Sequence, residues 1–154
     1  YFTKIVYIKK MLKITRLADY AVLIICSFDT CKDKIVSSQE IINKTGLQKA
    51  TVNKVLSILV RKKILEAHRG VNGGYKPFKK LEDISVKDLI EAVEGPVSLT
   101  DCIDNNARNC NLFDVCITKH TWSVVNSAIR DTLEGIKVKD ISSAKNSNKV
   151  LSFI

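Results

Sequence analysis

The sequence predicts a mainly α-helical fold that carries one small β-hairpin, with a long helix beyond it. Three observations lead there. Apolar residues recur at three- and four-residue spacing in five separate stretches, the mark of helices that bury one face. A single glycine-rich segment, Gly70-Val-Asn-Gly-Gly74, lies between two short extended runs. Of the 154 residues 45% are apolar, enough to bury a core and too many for a disordered chain. The length suits one compact domain, or a small domain with an appendage.

Regular patterning begins just after Met11, which is expected to mark the natural start; residues 1–10 read as an extension. From Thr15 to Phe28, Leu17, Ala18, Ala21, Val22, Ile24, Ile25 and Phe28 recur at helical spacing, with Thr15 as N-cap. Ser37 and Glu40 have the spacing of a capping box, in which each side chain satisfies a backbone N–H left open at a helix start. The short helix they open, with Ile41 and Ile42 inward, stops at Gly46. A third helix follows, roughly Lys49 to Lys63, with Val52, Val55, Leu56, Leu59 and Val60 on one face.

Two helices joined by a short glycine-containing turn form a helix-turn-helix candidate. In that motif the start of the second helix enters the DNA major groove. Here that start offers Gln48, Lys49, Thr51, Asn53 and Lys54, all polar. The glycine-rich segment comes next, between Ile64–Arg69 and Tyr75–Phe78, and its Asn-Gly and Gly-Gly pairs predict a tight hairpin with positive φ angles. A hairpin directly after a helix-turn-helix is the winged arrangement. Arg69, Asn72 and Gly73 are its candidate DNA contacts, because a glycine lets backbone approach DNA and an arginine beside it reaches a phosphate or the minor groove. Leu81 to Glu94 reads as another amphipathic helix stopped by Gly95-Pro96. Lys119 to Leu133 reads as a long one with Trp122, Val125, Ile129 and Leu133 in a stripe suited to a dimer contact, and the polar tail from Ser142 is expected to fray.

Charge follows this division. Residues 1–80 hold 17 Lys+Arg against 5 Asp+Glu, a net +12, whereas residues 81–154 hold 8 against 11, a net −3. A basic front half predicts a polyanion partner, which the helix-turn-helix and wing narrow to double-stranded DNA. No apolar run approaches the roughly 18 residues of a membrane span, and no secretory signal is evident, so a cytoplasmic location is expected. An enzyme has little support: two histidines, His68 and His120, and no convergent acid–base or nucleophile set.

Five cysteines, an odd number, argue against a disulfide framework in a reducing compartment. Three are clustered, as Cys102-x7-Cys110-x5-Cys116, with His120 after three further residues. Thiolates are soft ligands that suit zinc or iron–sulfur clusters. The spacing resembles three-Cys-one-His zinc fingers that bind single-stranded RNA, a structural site. Against that reading, the segment stands alone between a winged helix and a long helix, and Phe113 is its one aromatic for base stacking. Redox-active thiols are the remaining alternative. Cys26 reads as a core residue, and Cys31 receives no role.

Several segments together resemble one family: Met11-Leu-Lys-Ile-Thr-Arg-Leu-Ala-Asp-Tyr-Ala21, the wing Arg69-Gly-Val-Asn-Gly-Gly-Tyr75, Glu91-Ala-Val-Glu-Gly-Pro96 and the three-cysteine loop. These are the winged-helix iron–sulfur transcription regulators of the Rrf-two family, and the resemblance spans about residues 11 to 141. Leu99-Thr-Asp-Cys102, with Trp122 six residues after Cys116, is most similar to the branch that regulates SUF cluster-assembly operons. The resemblance implies a homodimeric DNA-binding regulator, a repressor of iron–sulfur cluster assembly genes. Its dimer helix is Lys119 to Leu133, and its cluster, two-iron before four-iron, is bound by Cys102, Cys110 and Cys116. Some members place a histidine three residues after the last cysteine, where Lys119 stands here and His120 is one later. Others use an aspartate near the N-terminus, contributed by the other subunit, at the place of Asp19. The fourth ligand is therefore Asp19 or His120. The resulting division is an extension (1–10), a winged helix-turn-helix (11–80), a cluster loop with the dimer helix (81–141) and a flexible tail (142–154).

Overall fold

The computed structural model describes residues 13–31, 34–100, 102–103, 110 and 112–144. The expected extension, most of the chain between Cys102 and Cys110, and the tail from residue 145 lie outside these. Six helices and one two-stranded sheet are formed among the described residues. Helix α1, Arg16–Cys26, starts where the Thr15 hydroxyl accepts from the Ala18 N–H. It ends two residues before the expected Phe28 because Ser27 closes it and a 3-10 turn, Asp29–Cys31, follows. Phe28 nevertheless stays in the core.

Helix α2, Ser38–Thr45, has the expected capping box and ends at Gly46 with φ +69°. Helix α3, Lys49–Arg61, buries Val52, Val55, Leu56 and Leu59 completely. It stops short of the expected Lys63, and the reason is local. Ile64 N–H bonds the Leu59 carbonyl and Lys63 N–H the Val60 carbonyl, the paired bonds of a Schellman stop. Lys63 occupies the left-handed position at φ +57°, where glycine is usual.

Strands β1, Leu65–His68, and β2, Gly74–Pro77, pair antiparallel from Leu65↔Pro77 to His68↔Gly74. The expected hairpin forms, with its connection one residue earlier than the glycine-rich segment. Five residues connect the strands, closed by a Gly73 N–H to Gly70 carbonyl bond, and positive φ falls at Gly70 rather than at Asn72-Gly73. The other two glycines serve close approach. A Cβ on Gly73 would lie 2.5 Å from the His68 carbonyl oxygen, and one on Gly74 2.4 Å from that of Val36. The latter crowding arises because Val36 and Tyr75 exchange two backbone hydrogen bonds, of 2.9 and 2.8 Å, on the outer edge of β2.

Helix α4, Val86–Glu94, is shorter than the expected Leu81–Glu94. Buried Ser85 caps it in a second capping box, with Asp88, so residues 81–84 are turn and Ile84 joins the core from outside the helix. Helix α5, Lys119–Gly135, runs two residues past the expected end. Helix α6, Val138–Ala144, reaches with its last three residues into the tail expected to fray from Ser142. It is held because Val138 is fully buried and residues 136–138 pair with 84–86 through two 2.9 Å backbone bonds.

The main core gathers Ala21, Ile24, Ile25 and Phe28 of α1 and its turn with apolar residues of α2, α3 and α4, and with Leu65 and Val138. Cys26 is partly buried against it, as expected. A smaller cluster, Ala18 with Val86 and Ile90, receives Leu133 and Ile141 from the last two helices. Outside the core, Lys139 of α6 pairs with Asp29 at 2.5 Å. That hydrogen bond, aided by Ser142, lowers the Asp29 carboxyl pKa against the opposing effect of burial. A depressed carboxylate stabilises the fold above its unfolded pKa, and the contribution fades as pH falls through the folded value. Asp29→Asn is therefore expected to lower unfolding free energy by up to about 1 kcal/mol at neutral pH. In urea titrations the gap to the parent chain should close below about pH 4.

Candidate DNA interface and cysteine loop

The predicted DNA contacts lie on two adjoining elements. Gln48, Lys49, Asn53 and Lys54 are exposed along α3, and Thr51 is half-buried. Gln48 occupies the N-cap position without a side-chain cap, unlike Thr15, Ser37 and Ser85, so the first amides of α3 stay open to an external acceptor. In the wing, Arg69 and Asn72 are exposed and Gly73 is half-buried. Among the described residues, neither Lys49, Lys54 nor Arg69 forms an ion pair. These cations keep their full charge for an outside partner. His68 pairs with Glu66 at 3.2 Å on the hairpin surface.

The three loop cysteines are half-buried, and none of the five cysteines is in a disulfide. Cys102 lies in a turn closed by Ile103 N–H on the Thr100 carbonyl, its sulfur 3.2 Å from the Thr100 hydroxyl. The Cys116 sulfur is 3.3 Å from the Thr118 hydroxyl. Hydrogen bonds from the Thr118 side chain and then its backbone push the Cys116 thiol pKa down, with weaker help from Lys119. Lys119 also sits 3.3 Å above the Phe113 ring, which fastens the loop to the first turn of α5.

As a donor set, three soft thiols with one pushed toward thiolate suit a cluster or zinc. Among the described residues, no three of His, Cys, Asp and Glu gather as a metal group. Both fourth-donor candidates are exposed: Asp19 on α1 and His120 on the first turn of α5.

Sequence reasoning missed the residues that hold this loop in place. Asn126 is 3% exposed in α5 and clamps the loop entry, accepting from Leu99 N–H and donating to the Val97 carbonyl, both at 3.1 Å. Its signal was a polar residue within the stripe Trp122, Val125, Ile129 and Leu133. Glu91 accepts from Val97 N–H and pairs with Arg130 of α5, while Glu94 accepts from Thr15 N–H at the start of α1. The stripe itself is divided. Trp122 and Val125 are exposed, Ile129 is half-buried, and Leu133 packs into the chain's own smaller core cluster. Val124, Leu112, Val115 and Ile117 add further exposed apolar surface near the first half of α5. Cys31 also has company: the Lys44 ammonium lies 2.8 Å from its sulfur and bridges to Thr30.

A family model described as an iron-dependent transcriptional regulator, Rrf2, matches residues 14–144. The chain belongs to the Rrf2 family. It is thus a transcriptional regulator and not an enzyme. Its fold is the winged helix of Rrf2 regulators, as expected from the sequence. The regulator NsrR of Bacillus licheniformis is 27% identical over 131 residues, which cover 84% of this chain and 92% of that one. A helix-turn-helix regulator of Azotobacter vinelandii, ORF2, is 28% identical over 106 residues; the match spans 69% of this chain but 63% of that relative. Among solved structures, CymR, the global cysteine regulator of B. subtilis, superposes with TM-score 0.64 at 20% identity, covering 86% of this chain and 98% of that one. IscR of T. potens gives 0.63 at 23%, covering 87% and 88%. No helix among the described residues of this Rrf2 chain is long and apolar enough to cross a membrane.

The Asn126 clamp has a measurable weight. Asn126→Ala leaves Leu99 N–H and the Val97 carbonyl without their partner in a partly buried site, and is expected to cost about 1–3 kcal/mol in urea unfolding. An unchanged urea midpoint would show that α5 does not hold the loop entry through this side chain.

Proposed function

We propose that this Rrf2 chain is a homodimeric, DNA-binding repressor of iron–sulfur cluster assembly genes, including those of a SUF system, and that it senses cluster status itself. The observation that carries the proposal is the mounting of the three-cysteine loop. It leaves α4 under the Glu91 and Asn126 clamps and enters α5 directly through Cys116, Thr118 and Lys119. Cys102, Cys110 and Cys116 would hold the cluster, with Asp19 of the other subunit or His120 as fourth donor. When bound, the cluster supplies a thiolate-held iron centre that gains or loses electrons. The chain's own residues do the rest. Thr118 keeps Cys116 toward thiolate, and Asn126 and Arg130 carry the position of the loop into α5.

From α5 the path to DNA is short. Lys87 of α4 pairs with Glu134, and α6 pairs with the turn after α1 through Lys139 and Asp29. Two subunits meeting on Trp122, Val125 and Ile129 set the separation of their α3 helices by the angle of α5. Gln48, Lys49, Thr51, Asn53 and Lys54 then read the major groove, while Arg69, Asn72 and Gly73 engage the neighbouring backbone or minor groove. A bound group shifts such an equilibrium only by binding one arrangement better than the other.

Anaerobically purified protein is expected to be brown and to contain iron and sulfide, with the colour lost in Cys102→Ala, Cys110→Ala and Cys116→Ala. Comparing Asp19→Ala with His120→Ala spectra identifies the fourth donor. Colourless protein carrying zinc would replace the cluster reading with a structural zinc site. For DNA, affinity for a pseudo-palindromic duplex is expected to fall with salt, and Arg69→Ala to weaken it and flatten the log–log slope by about 0.9. Unaltered binding by Arg69→Ala would remove the wing arginine from the interface.

A further inference from the structure

A groove of about 560 Å³ opens at the base of the wing, where the turn after α1, the end of β2 and α6 come together. Its apolar lining is Phe28, Pro77, Phe78 and Leu81. Phe28 is buried, but Phe78 is 59% exposed, an aromatic ring left without cover. The backbone that carries the ring is held in place. Phe78 N–H bonds the Ile64 carbonyl at 2.9 Å, and Pro77 precedes it.

Five lysines line the same groove: Lys34, Lys76, Lys79, Lys80 and Lys139. Two are neutralised, Lys80 by Glu82 at 3.6 Å and Lys139 by Asp29. Lys34, Lys76 and Lys79 have no ion pair among the described residues. Three uncompensated cations beside an exposed flat ring and an apolar floor fit a small ligand with a ring at one end and several negative charges at the other. Pockets of this volume are the usual size for such molecules.

The groove is separate from the candidate DNA surface. Leu65↔Pro77 closes the hairpin at its base and His68↔Gly74 at its tip, where Arg69, Asn72 and Gly73 lie. Three residue steps separate the two ends, on the order of 10 Å at the rise of an antiparallel strand. The α3 positions Gln48 to Lys54 are likewise at the opposite end of that helix from Lys62, which leads into β1.

We infer that this groove binds a free nucleoside polyphosphate, its base stacked on Phe78 and its phosphates held by Lys34, Lys76 and Lys79. The ligand joins the segment after the α1 turn, through Lys34, to the wing and the chain just beyond it, through Lys76, Phe78 and Lys79, in a groove that α6 borders. The inference is independent of the cysteine loop and survives if the cluster reading fails.

Calorimetric titration of the full chain in chelator-containing buffer tests it, with ATP, inorganic tripolyphosphate and adenosine as probes. Saturable ATP binding at one per chain is expected, with tripolyphosphate and adenosine each weaker. Phe78→Ala is expected to weaken ATP by about tenfold, the scale of a lost stacking contact, and to leave tripolyphosphate unchanged. The double substitution Lys34→Gln, Lys79→Gln should weaken both polyanions while an unchanged melting temperature reports an intact fold. Three results would overturn the inference: no saturable binding, equal ATP affinity in the parent chain and Phe78→Ala, or displacement of ATP by a short random-sequence duplex.

Discussion

Two alanines in α1 govern how closely the rest of the molecule can pack. Ala18 and Ala21 are fully buried, and the larger side chains of α3, α4 and α6 close over them. Small residues at a helix crossing shorten the distance between axes, which brings many more atoms into contact. Around Ala18 the consequence is wide: it forms one buried cluster with Val86 and Ile90 of α4, against which Leu133 of α5 and Ile141 of α6 pack. A larger side chain there would push α1 away from α4 and α6.

That convergence makes the two halves of the sequence one mechanical body despite their opposite charge. The net +12 half holds the candidate DNA contacts and the net −3 half carries the cysteine loop, yet several contacts cross between them. Among them are the Glu94 bond to Thr15, the Lys139–Asp29 pair, the packing of Ile141 against the Ala18 cluster and the burial of Val138 in the main core. A shift of α5 would bear on α1 by way of α4, which packs against both, because packed interiors transmit strain.

The parts legible in the sequence were those written in local chemistry. Ser37 with Glu40, Gly46 and the spacing of Val52, Val55, Leu56 and Leu59 each specify structure within one or two turns, and α2 and α3 form where expected. What was not legible depends on partners far along the chain. Val138 is one apolar residue in a Lys- and Ser-rich stretch, and only residues 84–86, about a third of the chain earlier, make it a core position. The wing glycines look like turn formers, whereas Gly73 and Gly74 are required by backbone at His68 and Val36. In the candidate site the cysteines and basic contacts stand out by residue type, but Asn126 is recognisable only once the carbonyl and amide it satisfies are in place.

The bond pair between Val36 and Tyr75 also bears on the thermodynamics of recognition. A hairpin attached only at its base samples many orientations, and a partner must then bear the entropy of selecting one. Here the outer edge of the wing is stitched to the segment that opens α2, with Gly74 removing the one side chain that would prevent it. Ordering of the arm is thus completed during folding, and association draws on it without a further entropic penalty. The wing should approach a duplex as a preset gauge of groove position rather than as a strap that closes after contact.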